Sequence, residues 1–163
     1  MFSEETKIKG HIVVYKINTN NERLKIYEHK NTIHVNMYTY FRNALTNRNY
    51  DASIDYMVWG SYNAPLGEFL DGTFIGTGAF GSNSKLVMTS VGSLASKFTG
   101  TFAFLATKII NYFQLGRGYN DVGFSNLVTT PFAYDQSLLT GSTFISYLTG
   151  ETMIIDWTIT VGT

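Results

Sequence analysis

At 163 residues with 44% apolar side chains, the chain has the length of one domain and can fill a core without covalent staples. It contains no cysteine, which rules out a disulfide framework and a thiolate metal site and leaves stability to packing. Twelve basic and twelve acidic residues cancel and neither sign forms a block, so the electrostatic footprint of a duplex-binding or anionic-membrane protein is missing, and neither nucleic acid nor a membrane is expected as a partner.

The opening Met1-Phe2-Ser3-Glu4-Glu5-Thr6-Lys7 lacks the positive-then-apolar order of a signal peptide. No apolar run approaches the ~18 residues of a membrane span, so a soluble protein is expected. Ile8 to Ile17, with Ile12-Val13-Val14-Tyr15 inside it, and Arg23 to Tyr27 flank Asn18-Thr19-Asn20-Asn21, whose Asn residues tolerate the left-handed conformation. The pair predicts a hairpin or a broken strand pair. From Thr32 to Leu45 the period changes: Ile33, Met37, Phe41 and Ala44, with Tyr40 and Leu45, recur at helical spacing, with Asn31 or Thr32 as cap and Asn47-Arg48-Asn49 as stop.

Ser53 to Gly60 reads as a strand, closed by a turn from Ser61 to Gly67 in which Pro65 cannot continue a central strand. The glycine-rich segment Asp71 to Ser84 predicts a long, partly ordered loop. Two strands follow, Lys85 to Val91 and Ser96 to Leu105, the second alternating Phe98, Phe102 and Phe104 with Thr99, Thr101 and Ala103. Lys108 to Leu115, a turn at Gly116-Arg117-Gly118-Tyr119-Asn120-Asp121, Val122 to Thr129 and Phe144 to Leu148 come next. The closing strand puts Met153, Ile155, Trp157, Ile159 and Val161 on one side and Asp156, Thr158 and Thr160 on the other, tying the C-terminus into a sheet with little left for a tail. About eight or nine regularly spaced strands without intervening helices predict a mainly β fold, an antiparallel β-sandwich of jelly-roll or immunoglobulin type with one helix near the N-terminal third. It is expected as one domain over 1–163, with N-terminal strands or an arm over 1–30, the helix over 31–47 and sandwich strands over 53–161.

Chemistry is sparse. His11, His29 and His34 are the only histidines, and His29 and His34 stand at i and i+5, which fits neither a helical zinc pair nor a finger, so no metal is expected. No Gly-x-Ser-x-Gly elbow is present, and Gly81-Ser82 and Gly92-Ser93 read as turns. Asp55 and Asp156 lie on the polar side of predicted strands, where solvation or a subunit contact explains them better than acid–base work. Gly72, Gly76, Gly78 and Gly81 lack the Gly-Lys-Ser/Thr ending of a phosphate loop, so no cofactor is expected. The low charge, 15%, suits a surface that packs against other protein, and any Tyr- and Thr-rich β protein has the same bias. The candidate contact residues, to a neighbouring protein or a glycan, are Trp59, Tyr62, Arg117 and Tyr119, with Tyr112 as a further aromatic platform. Trp157 is expected in the core.

A helix over Asn36 to Leu45, the strand Ile54-Asp55-Tyr56-Met57-Val58-Trp59-Gly60 followed by Ala64-Pro65, the short Val122-Gly123-Phe124 and the close Leu148-Thr149-Gly150-Glu151-Thr152-Met153-Ile154-Ile155-Asp156-Trp157-Thr158-Ile159-Thr160 together resemble a group of small tailed-bacteriophage virion proteins of tail, fibre or collar type. The likeness covers roughly residues 31 to 161. It departs at Gly60-Ser61-Tyr62-Asn63, where that group carries Gly-Thr-Gly, and in a longer, more polar segment before Val122. The resemblance implies a non-enzymatic β-sandwich building block of a virion, repeated about a symmetry axis, with copies of itself and other virion proteins as partners and no catalytic residue to carry over. Alternatives are a capsid decoration or head-fibre protein, and a module that recognises a host surface glycan through Trp59, Tyr62 and Tyr119. A small hydrolase would rest on chance carboxylate pairs alone.

Overall fold

Alternation between core-facing and solvent-facing residues, written most plainly in the last segment, is what assembles the chain. The structure is a computed structural model, and it describes residues 8–31, 56–63, 68–76, 84–116, 133–138 and 144–162. Thr152–Val161 forms the central strand of a five-stranded antiparallel sheet. Numbered along the chain, this first sheet contains β1 (Ile8–Ile17), β2 (Arg23–Asn31), β5 (Ser84–Ser90), β6 (Ala95–Ala103) and β11 (Thr152–Val161), in the order β2-β1-β11-β6-β5. A second sheet of four strands orders β4 (Glu68–Gly76), β3 (Tyr56–Asn63), β8 (Tyr112–Gly116) and β9 (Ala133–Leu138) as β4-β3-β8-β9, and β7 (Lys108–Ile110) pairs with β10 (Ile145–Tyr147) in a short ribbon. The fold is mainly β, with no helix among the described residues.

Register carries the alternation from strand to strand. Trp157 stands opposite Ile12 on one neighbour and Phe98 on the other, and Met153 stands opposite Phe102. Met153, Ile155 and Trp157 are fully buried, and Ile12, Val14, Phe98 and Phe102 extend the same apolar side across the sheet. Met57, Trp59, Phe113 and Leu115 of the second sheet belong to the same cluster. Trp59 meets Phe102 edge to face at 4.8 Å between centroids, a favoured aromatic geometry, and Tyr27 of β2 stacks on Phe113 of β8 at 6.2 Å.

The β1–β2 turn shows why asparagines occupy it. Asn21 sits at φ 62, where a short polar side chain is tolerated. Asn18 Oδ1 accepts from the backbone N–H groups of Asn20 and Glu22, both at 3.0 Å, replacing ladder bonds the turn interrupts.

Several expectations need correction. Asn31, a candidate helix cap, is the last residue of β2, which runs beyond Tyr27; the remainder of the expected helix lies outside the described residues. The glycine-rich stretch expected as a loop begins with β4, which pairs with β3 along one side, and Gly72 stands opposite Gly60 where neither strand needs a side chain. Beyond Gly60, where a turn was expected, β3 continues to Asn63 with a register shift between Ser61 and Tyr62. Lys108 to Leu115 is two strands, not one: at Asn111, which is buried and donates its N–H to the Gly60 carbonyl at 3.0 Å, the chain leaves the ribbon for the second sheet. Ala133–Leu138 was not anticipated as a strand, since Ala-Tyr-Asp-Gln-Ser-Leu has no β-branched residue and takes its conformation from pairing with β8. Val122 to Thr129, Asp55 and the turns at 64–67 and 117–121 lie outside the described residues.

Candidate interaction surface

The first sheet turns its polar side outward, and its ionisable residues pair locally. Asp156 Oδ1 accepts from Thr99 Oγ1 at 2.7 Å, and Oδ2 lies 3.7 Å from both Arg23 Nη2 and Lys97 Nζ. Arg23 in turn lies over the Tyr15 ring at 3.9 Å. The carboxylate therefore ties β11, β6 and β2 together across the sheet, with a hydroxyl and two cations as its partners.

At the β2 edge, Glu28 bridges His11 Nε2 at 3.0 Å and the Lys25 ammonium. The hydrogen bond from Lys25, then that from His11, holds the Glu28 carboxyl below the usual carboxylate range, and the same Glu28 contact raises Lys25. Arg23, Lys25, Glu28, His29 and Lys30 all lie on β2, so this edge is blunted by charge.

The opposite edge differs. β5 is the end strand of the sheet among the described residues. Met88 stands opposite Phe98 on the core side of the sheet yet is 65% exposed, and Val87, Val91 and Leu94 are exposed beside it. The β5–β6 turn is closed by Val91 N–H donating to Ala95 O at 2.9 Å, and Gly92 at φ 76 supplies the left-handed residue the turn needs. Leu94 O accepts from Val161 N–H at 2.8 Å, so this apolar tip is fastened to the central strand.

At the far end of the strands, Lys16 and Glu151 pair at 3.3 Å with little exposure, Lys16 Nζ also donates to Ser146 O, and Glu151 Oε2 accepts from Leu148 N–H at 2.7 Å. Tyr147, fully buried, donates its hydroxyl to Tyr15 O at 3.0 Å, and burial pushes its phenol far above the usual range. A groove of about 420 Å³ opens beside this latch, lined by Lys16, Ile26, Tyr27, Phe144, Ile145 and Ser146.

No family model, curated protein or solved structure matches the chain.

Of the residues singled out from sequence, Trp59 is buried in β3, 1% exposed, against Phe102 and Phe104. It offers no face to a sugar, which corrects its reading as a platform: the core took the largest aromatic available. Tyr62 lies in β3 opposite Phe69, just past the register shift. Arg117 and Tyr119 lie outside the described residues. Of the histidines, His11 bonds Glu28 and His29 stacks on Tyr27 at 6.2 Å, while His34 lies outside; among the described residues no group of three or more His, Cys, Asp or Glu could hold a metal. Gly92-Ser93 is the hairpin turn it was expected to be. Sequence reasoning passed over Val87, Met88, Val91 and Leu94, although an uncharged run around one glycine was the available signal.

Proposed function

We propose that this chain is a non-enzymatic structural component of a bacteriophage virion, a β-sandwich building block of the tail, collar or fibre that assembles with copies of itself and with adjoining virion proteins. The exposed apolar rim formed by Val87, Met88, Val91 and Leu94 carries the reading, because a patch of this kind beside a strand that ends its sheet among the described residues is where protein–protein contact is expected. The sandwich is part of the proposal: core residues of the two sheets pack in one cluster, as in two-layered β folds. The motif likeness over residues 31 to 161 supplies the virion context.

A decoration or head-fibre role on the capsid surface is the variant of the same reading, since it uses the same rim. Glycan recognition is weakened by the burial of Trp59. Two measurements test the proposal. Density for the chain in the assembled particle, at a symmetric position against itself or its neighbours, is the expected result. Light scattering on the purified protein together with a glycan array gives the contrary one: a strict monomer that binds sugars overturns the assembly reading in favour of recognition.

A further inference from the structure

We propose that two copies of this chain join through β5, edge to edge and antiparallel about Val87, so that their first sheets run on into a single ten-stranded sheet across a two-fold axis. The inference rests on the assembly reading above and names the surface that reading would use.

β5 has seven residues, Ser-Lys-Leu-Val-Met-Thr-Ser, with Val87 at the centre. An antiparallel copy centred there puts Ser84 opposite Ser90, Lys85 opposite Thr89, Leu86 opposite Met88, and Val87 opposite its own counterpart. Charge decides the direction. A parallel, in-register pairing sets Lys85 beside Lys85 of the other copy, which is repulsive. The antiparallel pairing moves the two lysines four positions apart, ~13 Å along the strand, beyond the ~10 Å over which salt screens exposed charges. No acid lies on β5 to compete. The apolar residues then meet their own kind at the axis, and Met88, open on the core side although it stands opposite buried Phe98, gains a neighbour there. β2 suits the same purpose less well: centred on Tyr27, an antiparallel copy would set Lys25 against His29, within a run that also carries Arg23 and Lys30.

Because the chain has no cysteine, one introduced thiol reports this geometry cleanly. Residues facing each other in an antiparallel pair have Cα atoms about 4.5 to 5.5 Å apart, inside the range a disulfide spans. Under mild oxidation of the full chain, Val87→Cys is expected to run mostly as a covalent dimer, whereas Leu105→Cys, more exposed at 79% but beyond the other end of β6, stays monomeric. Val87→Lys, on the outer side of the sheet opposite Thr99, is expected to keep the circular dichroism spectrum while weakening association about tenfold or more, since it places two ammonium groups at the axis. Absence of a Val87→Cys dimer, equal cross-linking of the two thiols, or an unchanged oligomer mass for Val87→Lys overturns the inference. If the wild type associates while any of these holds, copies meet elsewhere and the virion reading stands; that reading falls separately, if the chain is missing from particle density.

Discussion

The two edges of the first sheet are built from the same ladder and end in opposite ways. β2 holds Arg23, Lys25, Glu28, His29 and Lys30 along nine residues, and Glu28 is already engaged by Lys25 and His11. β5 holds one lysine in seven, with Val87 and Met88 exposed and Val91 and Leu94 just past it. A strand edge is a template for another strand unless charge or covering prevents it, so the contrast separates an edge blunted by charge from one that, among the described residues, ends its sheet with little charge. Under the proposed assembly, a copy with one usable edge would form a closed pair, whereas two usable edges would propagate into a fibre.

The largest expected effect is on what both edges share. Trp157→Ala removes a fully buried indole from the central strand and should lower unfolding stability by ~3 to 5 kcal/mol in a denaturant titration. A loss under ~1 kcal/mol would mean that the sheet centre does not hold the two edges together. Next in size is the latch at the far strand end. Glu151→Ala takes an acceptor from Leu148 N–H and a partner from Lys16, and should cost about 1 to 3 kcal/mol by the same titration without altering association, because the latch lies at the opposite end of β6 from the apolar tip. A change in oligomer mass in Glu151→Ala would show that the open edge is not confined to β5.

Much of the first sheet was legible because its strands alternate: β1, β6 and β11 bury every second side chain, and residues 153, 155, 157 and 159 went inward as their spacing predicted. Where pairing rather than side-chain pattern sets the conformation, the sequence was silent. Gly72 and Gly76 hid β4, and Ala133–Leu138 has no composition that announces β9. The break at Asn111 was hidden for the converse reason, since β7 and β8 are each good strand sequence and only their different partners separate them. Trp59 was misjudged because a Trp before a glycine looks like a loop platform, and only the second layer of side chains, Phe102 and Phe104, reveals that it is covered. The apolar tip of the β5–β6 hairpin was present in the sequence but looked like ordinary strand composition, since exposure is decided by what lies above a residue and not by its type.

The smallest effects belong to β2, and they test why it is closed. Glu28 is exposed, so its ion pairs add little to stability, but they do set its titration. Because Lys25 and His11 favour the charged carboxylate, its midpoint in the folded chain should fall below the ordinary 4.5, and the small stabilisation it brings is present above that ordinary value and lost as pH drops through the folded midpoint. Following the Glu28 side-chain carbon by NMR checks this, and Lys25→Met should return the midpoint toward 4.5; a folded midpoint at or above that value would show the bridge absent in solution. Replacing Lys25 and Glu28 together by threonine removes both members of the pair and leaves Arg23, His29 and Lys30 as the remaining charges on the strand. If charge is what keeps β2 from pairing, this double variant should keep its circular dichroism spectrum yet show larger species with rising concentration in light scattering, as a second usable edge is added to the proposed one. A variant whose mass stays that of the wild type would show instead that the geometry of β2, with its register shift against β1 at Val14/Tyr15, blocks pairing without help from charge.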